Sequence, residues 1–174
     1  CFKGSDSLQF KNVTVDWGVQ IPSYSNGAAY ADLDNDGDLD IVVSNIDDTV
    51  FIFKNNAREL KQNHYLKIKI IGEGKNTFGV GTMISVAIGN QSYKRQLMPT
   101  RGFQSAVEPV LYFGLGESKN VDRIQIIYPS GKEQILSNIS ADTTLIVYEK
   151  NGQYELWAAD YLPEFLDVSN KVIP

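Results

Sequence analysis

A run of five aspartates within nine residues constrains this chain more than any other feature of its sequence. They occupy alternate positions, with no basic residue among them: Asp32, Asp34, Asp36, Asp38 and Asp40. Two carboxylates about 4 Å apart repel by about 1 kcal/mol in water, and by more where solvent is excluded. A folded chain therefore either leaves such a loop in solvent or places a cation within it.

The same loop accounts for the acidity of the whole chain. The 174 residues include 21 acidic and 16 basic side chains, for a net charge of −5. The excess equals the five aspartates, so the chain outside residues 32–40 is neutral. Without a basic surface, nucleic-acid binding is not expected. No apolar run reaches the roughly 18 residues of a membrane-spanning helix, so no transmembrane segment is expected.

The spacing of the aspartates favours Ca²⁺ over solvent. Aspartates at the first, third and fifth positions of a tight loop can direct three carboxylates at one centre. Gly37 at the sixth position permits the sharp turn, and the backbone carbonyl of Asp38 and the carboxylate of Asp40 can complete the shell. Such hard oxygen ligands suit Ca²⁺ better than a transition metal. The alternative is a solvated acidic turn.

The loop begins like an EF-hand loop but does not end like one. Val43 stands at the twelfth position, where an EF-hand needs a bidentate glutamate. Residues 41–43 are Ile-Val-Val, a β-branched run that is typical of a buried strand and not of a helix. The sequence therefore predicts a strand–loop–strand calcium site.

Short apolar runs separated by turn residues predict an all-β chain. The first part has strands at residues 28–33, 40–44 and 49–54, followed by a polar linker at residues 55–63. The second part begins with strict alternation, Leu-Lys-Ile-Lys-Ile over residues 66–70, which predicts a strand with its lysine face in solvent.

More strands are predicted beyond that alternating one. They suggest a sandwich or barrel that extends from residue 64 to residue 149. The predicted strands cover residues 84–88, 93–98, 110–113, 121–128, 133–136 and 143–148.

The two ends of the chain carry an internal repeat. Residues 10–14, Phe-Lys-Asn-Val-Thr, are similar to residues 165–169, Phe-Leu-Asp-Val-Ser, and residues 1–3 are similar to residues 52–54. One unit, residues 8–56, is then complete. Because such repeats do not bury their faces alone, the sequence is expected to be a piece of a longer protein, or its two ends are expected to pair.

Residues 10–56 resemble an FG-GAP/VCBS repeat, the calcium-binding blade unit of integrin-type β-propellers. The resemblance rests on residues 27–41, Gly-Ala-Ala-Tyr-Ala-Asp-Leu-Asp-Asn-Asp-Gly-Asp-Leu-Asp-Ile. It implies that the side chains of Asp32, Asp34, Asp36 and Asp40 and the backbone of Asp38 bind Ca²⁺.

Residues 64–149 resemble the ASPIC/UnbV domain, which follows such repeats in the cartilage acidic protein family and in bacterial surface proteins. The matching stretches are Asn-Thr-Phe-Gly-Val-Gly at 76–81, Arg-Gly-Phe-Gln-Ser at 101–105, Phe-Gly-Leu-Gly at 113–116, Val-Asp-Arg at 121–123 and Tyr-Pro-Ser-Gly at 128–131.

The two resemblances imply three segments and a fold. Residues 1–56 would be a propeller-blade-like calcium repeat from part of a propeller, and residues 64–149 a β-sandwich or barrel-like domain. Residues 150–174 would be the start of a further repeat or a C-terminal tail. The resemblance implies a setting outside the cell, and it implies no catalytic activity.

The sequence offers no catalytic constellation. It contains no nucleophile elbow, phosphate-binding loop or zinc-binding helix, so an enzyme is not expected. Arg101 and Phe103, on either side of a glycine, are the candidate ligand-binding pair of the second domain. They can bind a sugar or a peptide, or they can serve packing and structural hydrogen bonding.

These observations favour a secreted or cell-surface interaction module that binds Ca²⁺ and contacts a protein or glycan, as in adhesion. The alternative function is a carbohydrate-binding region of a secreted polysaccharide-processing protein. The single cysteine, Cys1, has no internal disulfide partner. It is either the lipidated first residue of an outer-membrane lipoprotein or a residue within a blade strand.

Overall fold

The computed structural model of the protein describes residues 1–5 and 7–154. The predicted repeat at residues 165–169, and all of the segment 150–174 beyond residue 154, lie outside the described residues. The first part of the chain forms five strands and one short helix: β1 (Phe2–Gly4), β2 (Phe10–Asn12), β3 (Ser25–Ala31), β4 (Asp40–Asn45), β5 (Phe51–Phe53) and α1 (Ala57–Lys61).

The rest of the described chain contains eight strands and one 3-10 turn at Glu149–Asn151. The strands are β6 (His64–Ile71), β7 (Met83–Ile88), β8 (Gln91–Gln96), β9 (Val110–Gly116), β10 (Asn120–Ile127), β11 (Lys132–Ser140), β12 (Thr143–Tyr148) and β13 (Gln153–Tyr154).

The first part of the chain builds two small antiparallel sheets. β1 pairs with β2, and β3, β4 and β5 form a three-stranded sheet in chain order. Ala31 pairs with Asp40 at the end of the β3–β4 ladder, so the aspartate-rich segment is the closed loop between two paired strands. The sheet thus fixes both ends of this loop.

The second part is a β-sandwich-like pair of sheets. One sheet has the order β13-β11-β10-β7-β8, and the other has the order β12-β6-β9, with β12 parallel to β6. Their facing side chains form one apolar core, and the removal of this apolar surface from water stabilises the fold. The core consists of Leu66, Ile68, Ile70, Ile84, Val86, Leu97, Leu111, Phe113, Leu115, Val121, Ile124, Ile126, Tyr128 and Val147.

The all-β prediction is confirmed, and the predicted strands lie within a few residues of the observed ones. A turn at Gly89 and Asn90 joins β7 to β8, and Gly89 takes a left-handed φ of 54° there. No helix among the described residues is both long and apolar enough to cross a membrane.

Two expectations are wrong. Part of the predicted polar linker is helical, because residues 57–61 form α1. The face of β6 that carries Lys67 is also not a solvent face, since only 9% of Lys67 is exposed, while Lys69 on the same face is exposed. Alternation correctly identified the core face of β6. It could not reveal that another part of the chain covers the opposite face.

Candidate metal centre

The segment between β3 and β4 gathers its first three aspartates around one point. One carboxylate oxygen from each of Asp32, Asp34 and Asp36 lies within 4.8 Å of the other two. Two left-handed residues, Asn35 (φ 60°) and Gly37 (φ 101°), turn the backbone between them. Two oxygens bound to one Ca²⁺ at 2.3–2.6 Å are separated by at most about 5 Å. The spacing of these oxygens therefore suits a single cation.

Backbone N–H groups hold the loop in this shape. The N–H of Gly37 donates to Asp32 Oδ2 at 3.1 Å, and the N–H of Asp38 donates to Asp36 Oδ1 at 3.0 Å. Each bond leaves the other oxygen of the same carboxylate unused. Local side-chain to backbone bonds of this kind are a known alternative to regular structure for aspartate.

Three carboxylate oxygens of the loop are buried with no hydrogen-bond donor among the described residues. They are Asp32 Oδ1, Asp36 Oδ2 and Asp38 Oδ1. A buried polar atom without a partner costs free energy, and such atoms are uncommon in folded proteins. A hard cation is the partner that would satisfy ionised oxygens at this position. The donor set therefore fits Ca²⁺.

The side chains of the last two aspartates, Asp38 and Asp40, accept hydrogen bonds from backbone N–H groups. Asp40 accepts hydrogen bonds from the N–H of Leu33 at 3.0 Å and from the N–H of Asn55 at 2.8 Å, one on each oxygen. Asp38 Oδ2 accepts one from the N–H of Arg58 at 3.0 Å. Burial is the main cause of the raised pKa of Asp38, and the nearby carboxylates raise it further. The hydrogen bond from the N–H of Arg58 lowers the pKa but does not outweigh these effects. The structure thus groups the first three aspartates and places Asp38 and Asp40 at the base of the loop.

Basic side chains surround the loop. Lys54 pairs with Asp34 at 2.8 Å, and its hydrogen bond is the main cause of the lowered pKa of Asp34. The guanidinium of Arg58 donates to the backbone carbonyl of Asp36. The ammonium of Lys67 donates to Asp32 Oδ2, where it stands beside the buried carboxylate. Sequence reasoning missed all three partners, because they lie 20 to 35 residues away from the aspartates that they contact.

The loop rests on the outer face of β6. A Cβ built on Gly37 would lie 2.0 Å from Cε1 of Tyr65, so only a glycine allows the ring to sit there. The Arg58 guanidinium lies 4.9 Å from the centre of the same ring, within cation–π distance. The loop is therefore part of the contact between the first part of the chain and the sandwich.

A second polar contact lies beside the loop. His64 Nδ1 is 2.7 Å from Asp142 Oδ2, and Asp142 Oδ1 lies 3.7 Å from the Arg58 guanidinium. Burial opposes ionisation of Asp142, but the hydrogen bonds from His64 and from the N–H of Tyr65 outweigh it and lower its pKa. His64 begins β6, and its side chain is half-buried in this contact.

The two predicted ligand-binding residues of the second domain have different environments. Arg101 donates through Nε and Nη2 to the hydroxyl of Tyr30, at 3.0 and 2.8 Å, and through Nη1 to the carbonyls of Met98 and Thr100. Its guanidinium links the sandwich to β3. Phe103 is 69% exposed and borders a shallow groove of about 280 Å³ with Gly27.

Replacing Arg101 with lysine should lower the free energy of unfolding by about 1 to 2 kcal/mol, because one ammonium cannot supply these forked hydrogen bonds. The comparison variant Phe103→Ala, on the same loop, should change the free energy of unfolding by less than about 0.5 kcal/mol, since the ring is exposed. Urea denaturation of both variants measures the difference. Equal stability of the two variants would contradict the structural role of Arg101.

Comparison with known proteins identifies one part of the chain. Residues 72–154 match the family model described as ASPIC and UnbV. The match begins just after β6 and covers the strands from β7 to β13, so most of the sandwich lies within it. No curated protein matches the chain.

Proposed function

We propose that the chain is a non-catalytic, calcium-stabilised interaction module of a secreted or cell-surface protein. One Ca²⁺ would bind in the loop of residues 32–40, and the ion would hold the loop against the sandwich. The observation that carries the proposal is the group of three buried carboxylate oxygens without a donor: Asp32 Oδ1, Asp36 Oδ2 and Asp38 Oδ1.

The expected role of the ion is structural. Bound Ca²⁺ neutralises carboxylates that otherwise repel each other, and its binding free energy adds to the stability of the folded state. Asp32, Asp34 and Asp36 would supply side-chain oxygens, and Asp38 and Asp40 would complete or support the site. Calcium sites of extracellular modules have dissociation constants of roughly 10⁻⁴ to 10⁻³ M.

The assignment of residues 10–56 to the FG-GAP/VCBS repeats of β-propellers belongs to this proposal. It is supported by the meander β3-β4-β5, with the aspartate loop between its first two strands. It is also supported by exposed apolar side chains on both faces of this small sheet, with Ile41 on one face and Ile52 on the other. A single repeat unit cannot bury such faces alone, and stacking against neighbouring units would cover them. We infer that this sheet packs against further units of this kind.

Calcium titration by isothermal calorimetry tests the proposal. Wild-type protein freed of metal should bind one Ca²⁺ per chain, and Mg²⁺ should bind more weakly because it needs a smaller octahedral shell. The variant Asp36→Asn should bind Ca²⁺ at least about tenfold more weakly, since it loses one ionised ligand.

Glu117→Gln is the matched control for that variant. Glu117 is exposed and lies outside the loop, so its removal changes the net charge equally and should leave Ca²⁺ affinity unchanged. Absence of Ca²⁺ binding by the folded wild-type protein up to 10 mM Ca²⁺, about ten times the weakest expected dissociation constant, would refute the proposal.

A second candidate function is carbohydrate binding, as part of a polysaccharide-processing protein. The observation that favours it is the exposed ring of Phe103 at the edge of a groove with polar residues such as Asn26 and Gln104. Exposed aromatic faces can stack on sugar rings, since both surfaces combine apolar area with polar edges. A glycan array screens for this function, and a specific signal that persists in Phe103→Ala would rule out this groove.

A further inference from the structure

We propose that Lys67 is a built-in competitor of Ca²⁺ for Asp32, so that the sandwich sets the calcium affinity of the loop. This inference rests on the proposed calcium site. The ammonium of Lys67 would partly neutralise Asp32 in the metal-free protein, and it would weaken the binding of a second cation at the same carboxylate.

The geometry at Asp32 supports competition. The side chain of Asp32 is 1% exposed, and its Oδ2 accepts hydrogen bonds from the Lys67 ammonium and from the N–H of Gly37. Its Oδ1 has no donor among the described residues. One oxygen of this carboxylate is therefore used by the lysine, and the other is free for a metal ion.

Lys67 is also held in its position. Its side chain is 11% exposed, and its Nζ lies 5.4 Å from the ring centre of Tyr65 and 5.4 Å from that of Tyr112. Both rings belong to the sheet of the sandwich, on β6 and β9. Aromatic faces attract an ammonium, so two rings and a carboxylate together hold the lysine in this position.

The Lys67 ammonium, held at Asp32 Oδ2, repels a Ca²⁺ ion that binds to the other oxygen of the same carboxylate. An ion bound to Asp32 Oδ1 lies within a few ångströms of an ammonium on the other oxygen of the same carboxylate. Repulsion at such a distance is strong where solvent is excluded. The lysine thus supplies a charge that stabilises the loop without metal and reduces its affinity for metal. It would shift the site towards the millimolar range in which extracellular calcium sites operate.

The test is calcium titration of Lys67→Met and Lys67→Gln beside wild type. Lys67→Met should bind Ca²⁺ at least about tenfold more tightly, and Lys67→Gln should show the same direction of change. In chelator, both variants should melt at a lower temperature than wild type, because Asp32 then lacks a counter-charge. A lysine with a purely structural role would produce weaker binding together with lower stability, so the opposite signs identify competition.

Lys69→Met is the matched control. Lys69 lies two residues along the same face of β6 and is exposed, so its removal should change Ca²⁺ affinity by less than about twofold. If Lys67→Met does not fold in chelator, Lys67→Gln and the recovery of folding by added Ca²⁺ supply the comparison.

The possible failures are distinguishable. Wild type that binds Ca²⁺ beside folded Lys67 variants of equal or weaker affinity would overturn the competition and leave the proposed function intact. An absence of Ca²⁺ binding in wild type and in both Lys67 variants would overturn the competition and the proposed function together. Tighter binding in both Lys67 variants, with Lys69→Met unchanged, would support both.

Discussion

Calcium at 10 mM should raise the melting temperature of the wild-type protein by about 3 to 10 °C over its value in chelator. A dissociation constant between about 10⁻⁴ and 10⁻³ M gives a stabilisation of about 1.4 to 2.7 kcal/mol at this concentration. For a chain of this size, 1 kcal/mol corresponds to about 2 to 4 °C. Differential scanning calorimetry measures the shift directly.

Magnesium at the same concentration is the control for ionic strength, and Asp36→Asn is the control for the site. Magnesium should raise the melting temperature of the wild type by less than calcium does, since it binds the site more weakly and screening acts on all exposed charges alike. Calcium should raise the melting temperature of the variant by at least about 2 to 4 °C less than that of the wild type, because a tenfold weaker site loses about 1 kcal/mol of stabilisation at this concentration. Equal melting curves in calcium and in chelator, recorded on protein shown to be free of metal, would contradict the stabilising role of the ion.

Replacing Gly37 with alanine should lower the free energy of unfolding by about 2 to 5 kcal/mol. The residue has a φ of 101°, which costs an L-residue about 1 to 2 kcal/mol. The added Cβ would also lie 2.0 Å from the ring of Tyr65, so the ring or the loop must move, at a cost of about 1 to 3 kcal/mol. Guanidinium denaturation, followed by circular dichroism, measures the loss.

Two further variants separate the cost of the positive φ from the cost of the steric clash with the Tyr65 ring. Gly131→Ala is matched in its backbone, with φ of 84° and nothing within 4 Å of the added Cβ, so it should cost only about 1 to 2 kcal/mol. In a Tyr65→Ala background, the cost of Gly37→Ala should fall to the same value. An equal cost of Gly37→Ala with and without the Tyr65 ring would show that the loop does not rest on β6.

Much of the secondary structure was predictable because its signals are local. The alternation over residues 66–70 and the turns at Gly89 and Gly131 depend on side chains and backbone angles within a few positions. The helix α1 was missed because it has only five residues, none of them buried, and therefore no apolar periodicity. A short polar helix and a polar linker look the same in sequence.

The partners of the aspartates were not predictable. Lys67 follows Asp32 by 35 positions, and an alternating strand assigns its lysines to solvent unless something covers them. Asp40 likewise accepts a hydrogen bond from the N–H of Asn55, which lies 15 positions away and follows β5 in the chain. Charge and spacing identify a group of acids, but they do not state which cations the fold brings to it.

The sequence by itself determined the all-β character, the core face of β6 and the place of the acidic loop, since each depends on periodicity or on spacing along a few neighbouring residues. Only the tertiary structure decided that the loop rests on the sandwich, that Tyr65 lies over Gly37, and that the Lys67 ammonium donates to Asp32. The physical reason is that a carboxylate responds to every charge within a few ångströms, whatever its distance along the chain. Its environment is therefore a property of the folded molecule.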